Sequence, residues 1–170
     1  FGKAQFVDLG QDPAGLRWKQ INTRDFQLIY PDYFEENAQK IANIFTALYQ
    51  HTNSLAHKPI KISLIIHANG GVANGSVAWA PRKADLYTMP SQDPSDTWLE
   101  HLCVHEFRHV VQIDKVNQGL TKILYYLFGE QIPIAITGLY LPMWFMEGDA
   151  VTFETAIGHL GRSRSPEFIN

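Results

Sequence analysis

His105 and His109 stand four residues apart, with Glu106 directly after the first of them. On an α-helix that spacing sets the two imidazoles on one face, about 40° apart around the axis. Two neutral imidazoles placed this way can bind one small cation. Glu106 falls on the adjoining face, where its carboxylate can reach a water held by such an ion without ligating the ion. The chemistry on offer is activation of water beside a metal. A pattern with three fixed letters also arises by chance in roughly one chain of this size in a hundred or fewer. The surrounding helix and a third ligand therefore carry the argument.

The residues around the motif favour a helix. Thr97 and Glu100 fit a capping box, with Asp96 as a competing cap. Leu99, Leu102, Cys103, Phe107, Val110 and Val111 then give an apolar surface at helical spacing, and Gln112, Ile113 and Asp114 can carry the helix to its end. A largely buried helix that holds two histidines and a glutamate needs something to satisfy them. A metal ion does so.

The chain beyond the motif narrows the third ligand. A ligand from an elongated His-x-x-Gly-x-x-His motif would need glycine at 112 and histidine at 115, where this chain has Gln112 and Lys115. Asp114, five residues past His109, is rotated away from both imidazoles. The best candidate is Glu147, within Leu-Pro-Met-Trp-Phe-Met-Glu-Gly-Asp-Ala (141 to 150). Pro142 suits the first turn of a new helix, and Gly148 and Ala150 are small enough for that helix to lie close to the first. Two histidines and one glutamate leave a fourth position for water, the catalytic rather than the structural arrangement of zinc.

His-Glu-Phe-Arg-His-Val-Val-Gln followed by Pro-Met-Trp-Phe-Met-Glu-Gly-Asp-Ala resembles the gluzincin metallopeptidases, the group that includes thermolysin and the zinc aminopeptidases. It looks most like a bacterial, secreted, peptidase-like branch with a Trp-Phe-x-Glu-Gly-x-Ala second motif. The resemblance implies Zn2+ held by His105, His109 and Glu147, Glu106 as general base, and a peptide or protein substrate. It also implies a secreted, periplasmic or cell-surface setting. The 37 residues between His109 and Glu147 (110 to 146) make a longer insert than is usual in that family.

Composition fits one globular domain over 1–170, with 45% hydrophobic and 18% charged residues. A net charge of -3, from 14 basic and 17 acidic residues, offers no basic surface for nucleic acid. The single cysteine, Cys103, reads as a small core residue and leaves the redox compartment open. No signal peptide is visible at Phe1 to Gly10. The opening Phe-Gly-Lys and the closing Glu-Phe-Ile-Asn read as cuts within a longer protein, whose C-terminal domain would contact this one.

The elements that must position the motif follow from periodicity. Residues 16 to 30 hold two strand-like stretches around Asn22 and Thr23, and Lys58 to His67 makes an isoleucine-rich strand. Tyr33 to Leu55 has helical spacing through Ala38, Ile41, Phe45 and Leu48. Ser76 to Pro81 and Asp85 to Met89 suit a strand pair. Leu120, Ile123, Leu124, Leu127 and Phe128 suggest an amphipathic helix. Ile132 to Met146 is apolar but too short and broken to span a bilayer, and reads as core plus a loop covering the site; an exposed apolar patch is the competing reading. The expected fold is α+β, a small mixed sheet packed on the active-site helix as in a zincin-like catalytic domain. By resemblance, an edge strand within Gly75 to Pro81 lines the cleft and pairs with extended substrate.

Other polar residues compete for roles. His101 lies eight residues from His109, about 12 Å along the axis, too far to join one ion. His51, His57 and His67 read as surface or strand-end residues, and His159 as a bystander that could reach a reaction intermediate. Glu154 and Asp149 are alternative partners for orienting a ligand. Tyr140, Tyr125 and Tyr126 are in range as oxyanion donors, with none assigned. Two other functional classes fit the same residues: a catalytically inactive peptide- or partner-binding module of a larger cell-surface protein, and a structural domain in which the motif is accidental.

Overall fold

A computed structural model describes residues 12–53, 60–89, 98–129 and 131–157. The architecture is α+β, a five-stranded mixed sheet with helices packed on it. In chain order the elements are β1 (Trp18–Asn22), β2 (Phe26–Pro31), a short 3-10 turn, α1 (Glu35–Asn53), β3 (Ile62–His67), β4 (Ala73–Trp79), β5 (Arg82–Thr88), α2 (Trp98–Val116), α3 (Gly119–Phe128), α4 (Gln131–Tyr140) and α5 (Met143–Ile157).

The sheet runs β1-β2-β3-β5-β4. β2, β3 and β5 are parallel neighbours, while β1 and β4 pair antiparallel at the two edges. A parallel step needs a crossover, and α1 supplies it between β2 and β3. Alternation decides which face is buried: Phe26, Leu28 and Tyr30 of β2 and Ile62, Leu64 and Ile66 of β3 are enclosed. The register aligns Leu28 with Leu64, Leu64 with Ala84, and Ala84 with Val77, a continuous apolar row across four strands.

Two helices cover that row. α1 buries Ala38, Ile41, Ala42, Phe45, Leu48 and Tyr49, the stripe expected from its period. α2 buries Cys103, Val104, Phe107, Val110 and Val111 on one side. The Phe107 ring lies 5.0 Å from Tyr49 and 6.0 Å from Phe45, edge to face with both, which sets α2 against α1. Cys103 is wholly enclosed, and burial pushes its thiol pKa up, so it packs as an apolar residue. The capping residues Thr97 and Asp96, together with His57 and His159, lie outside the described residues.

The segment after α2 corrects one expectation. Residues 132 to 146 form most of α4, a short junction at Leu141 and Pro142 that borders the cleft, and the start of α5, with large apolar side chains exposed rather than in the core. Leu139, Tyr140, Met143 and Trp144 are each more than 70% exposed, and so are Leu120 and Tyr126 of α3. α3 and α4 pack on one another and leave their outer faces uncovered among the described residues. Gly129, at φ 83°, ends α3 in a backbone region that only glycine enters freely, and its N–H caps Tyr125 O at 2.8 Å. No helix among the described residues is long and apolar enough to cross a membrane.

Candidate metal centre

α2 has a second buried side, and it is polar. His105, Glu106 and His109 are all enclosed there, beside Ile113, while the buried Asp114 borders a separate hollow. That side faces a cleft of about 1060 Å³ whose floor is α2. All of β4 borders one wall, and Gly138, Leu141, Pro142 and Met143 from the α4–α5 junction border the other. The edge strand therefore lies where the sequence placed it, starting two residues earlier at Ala73.

α5 brings the third donor. Glu147, Ala150 and Glu154 recur at helical spacing on the α5 face turned to α2, and Ala150 is fully buried where the helices meet. Gly148 has no part in this approach, since a Cβ there would meet nothing within 4 Å. His105 Nε2 lies 3.1 Å from His109 Nε2 and 3.3 Å from Glu147 Oε2, and His109 Nε2 lies 3.6 Å from Glu147 Oε1. A tetrahedral ion with bonds of about 2.0–2.1 Å separates its ligand atoms by about 3.3 Å. The two imidazole nitrogens and the nearer carboxylate oxygen to each approach this spacing, and one donor atom from each residue lies within 4.8 Å of the others, so the group could hold a zinc ion. The fit is one of distance and of donor chemistry.

Both imidazoles are held from behind. His109 Nδ1 lies 2.9 Å from Gln112 Oε1. Gln112 Nε2 in turn donates to Met146 O at 2.9 Å and to Asp149 Oδ2 at 2.6 Å. Those two acceptors fix which end of the amide is oxygen, so Nδ1 of His109 carries the proton and Nε2 keeps its lone pair for an ion. Burial pushes the His109 imidazole below its ordinary pKa against the Gln112 bond, with His105 adding to the shift. Behind His105 stands Glu154, fully buried, with Oε2 3.4 Å from Nδ1. Glu154 and Asp149, alternatives by sequence, thus stand behind different histidines, Asp149 through Gln112.

Arg108 locks the two helices together. Its guanidinium forks onto Asp149, Nε to Oδ2 at 2.7 Å and Nη2 to Oδ1 at 2.9 Å, and its Cζ lies 4.8 Å from the Phe153 ring centroid. The Arg108 bond holds the Asp149 carboxyl below its ordinary pKa, against burial. Neither Arg108 nor Gln112 was legible as functional. Their signal is weak: two polar residues four apart on the side of α2 that meets α5.

The chain matches no family model, and no curated protein or solved structure matches it. What can be said of function comes from the geometry.

The remaining candidates separate cleanly. His101 borders the cleft and lies 3.8 Å from Glu154 Oε1, apart from the ligand atoms. Tyr125 accepts a hydrogen bond from Arg82 at 3.3 Å beside a second, shallower hollow, while Tyr126 and Tyr140 are exposed; none of the three borders the cleft. His51 is exposed at the end of α1. His67, at the end of β3, is half-buried between two carboxylates, with Nδ1 2.6 Å from Asp12 and Nε2 3.1 Å from Asp85.

Proposed function

We propose that the protein is a zinc-dependent metallopeptidase of gluzincin type. His105, His109 and Glu147 would hold the ion, and Glu106 is the general base. The observation that carries this is the convergence of two imidazole nitrogens and the Glu147 carboxylate, from two helices, with nearest approaches of 3.1 to 3.6 Å, beside a cleft. Three protein ligands leave the fourth position open, which suits catalysis rather than a structural role. Zinc bound there supplies a water of near-neutral pKa and Lewis-acid polarisation of the scissile carbonyl.

The chain's own groups do the rest. Glu106 takes a proton from the attacking water as its oxygen bonds to the carbonyl carbon, and returns that proton to the amine nitrogen as the C–N bond breaks. Among the described residues β4 pairs with β5 alone, so its other edge offers backbone groups to an extended peptide. No lysine or arginine among the described residues lines the cleft, whose walls offer a strand edge, apolar side chains and the polar groups of Asn74 and Ser76. The resemblance in the motifs supports a secreted, periplasmic or cell-surface setting for this activity.

Elemental analysis should find one zinc per chain. Cleavage of a fluorogenic peptide library should stop with a chelator and return with zinc. Glu106→Gln should keep the zinc and lose about 10²–10⁴-fold in kcat. Undiminished cleavage by Glu106→Gln would remove the assigned base. Zinc without any cleavage would leave only a peptide-binding module.

A further inference from the structure

Gly75 is the third residue of β4, and it faces Glu106 of α2 where strand and helix cross. A Cβ placed at 75 would lie 2.3 Å from Glu106 Oε1, 2.4 Å from Cδ and 2.5 Å from Cγ. Unbonded heavy atoms rest at about 3.5–4.0 Å. No side chain fits at 75 while Glu106 keeps its position. The need is for room and not for backbone freedom, because the positive-φ glycines among the described residues are Gly119 and Gly129. The three nearest atoms all belong to the Glu106 side chain. Gly71, Gly138 and Gly148 show no such crowding.

We infer that Gly75 is a positioning residue that seats the Glu106 carboxylate against the edge strand. The strand that borders the cleft thereby also fixes where the base stands. Glu106 is only 3% exposed, so a methyl at 75 must turn it out of its seat or push β4 off α2. The three nearest atoms to position 75 belong to neither His105 nor His109, which should keep their places. The packing claim stands without any assumption about activity, whereas its catalytic consequence rests on the peptidase reading.

Two readouts test this and keep the two ideas apart. The first is thermal unfolding of the metal-free protein in a double-mutant cycle of Gly75→Ala and Glu106→Ala. Gly75→Ala should lower the midpoint by about 3 °C or more beside Glu106, and should not lower it beside Ala at 106, where the obstructing atoms are gone. The second is turnover of the zinc-loaded protein. Gly75→Ala should retain one zinc, lose about 100-fold in kcat with KM within about threefold, and cost nothing further in the Glu106→Gln background. An equal drop in midpoint in both backgrounds, or no drop in either, overturns the inference. A raised KM with unchanged kcat overturns it too, because that would mark Gly75 as a substrate contact. A coupled cycle in a parent protein that cuts no peptide would uphold the seat and refute the peptidase reading.

Discussion

Glu154→Gln tests whether the geometry behind the ligands matters as much as the ligands. Glu154 is fully enclosed, and its carboxylate lies 3.4 Å from His105 Nδ1 and 3.8 Å from His101 Nδ1. Glutamine keeps the volume and an acceptor oxygen but removes the charge that makes the imidazole a stronger donor to an ion. Loss of such a partner costs about 10- to 100-fold in metal affinity, or about 1.4–2.7 kcal/mol. With free zinc a thousandfold above the parent Kd, zinc binding contributes about 4.1 kcal/mol of stability; a site tenfold weaker retains about 2.7 kcal/mol. For a chain of this size the difference is roughly 3–6 °C in the zinc-loaded Tm. The zinc-free Tm should move by less. Chelator competition at pH 8 measures the affinity, and calorimetry with and without zinc measures the two midpoints. Zinc affinity within twofold of the parent would refute the reasoning. So would an equal loss of Tm in both forms, which would make Glu154 a packing residue alone.

Asp149→Ala removes the Arg108 fork and one acceptor of Gln112. It should cost about 1.5–3 kcal/mol in chemical denaturation and weaken zinc by about tenfold; unchanged affinity would show that α5 is held without this clamp. His67 carries a pH signature. Its hydrogen bond to Asp85 raises its pKa, against burial, and Asp12 adds to the rise. Lys83 and Tyr87 also face the group, Lys83 paired to Asp85 and the Tyr87 ring stacked on the imidazole. A folded pKa above the unfolded value of about 6.5 contributes stability that is fully present below that value and lost as pH rises through the folded one. Burial works against the Asp85 carboxyl, yet the bonds from His67 and Lys83 hold its pKa below the ordinary value, so its own contribution fades only in acid. His67→Gln should therefore cost about 1.5–3 kcal/mol at pH 6 and clearly less at pH 9, read by denaturant unfolding; a cost independent of pH would contradict the assignment.

The elements that carry the site were legible because period alone specifies them. β2 and β3 alternate, α1 and α2 repeat every three to four residues, and the His105–His109 spacing brings two imidazoles together on one face of a helix. Glu147 was reachable because rival ligands failed on identity or rotation. The rest depends on which surfaces meet. Glu154 and Asp149 differ by five residues on α5, and only the docking of α5 on α2 shows that one backs His105 and the other, through Gln112, backs His109. Gly75 resembles any strand glycine until Glu106 is seen against it. Residues 132 to 146 misled for a related reason: hydropathy reports that Leu139 or Trp144 would gain from burial, not whether a neighbour stands ready to bury it.

The clamp between α2 and α5 has a consequence for the order of assembly. The donor atoms already converge through Arg108, Asp149 and Gln112, all groups of the polypeptide. In small zinc domains metal capture and folding are a single event. On the proposed zinc reading the two would be separable here, because contacts within the polypeptide tie α5 to α2 and maturation could precede capture of the cation.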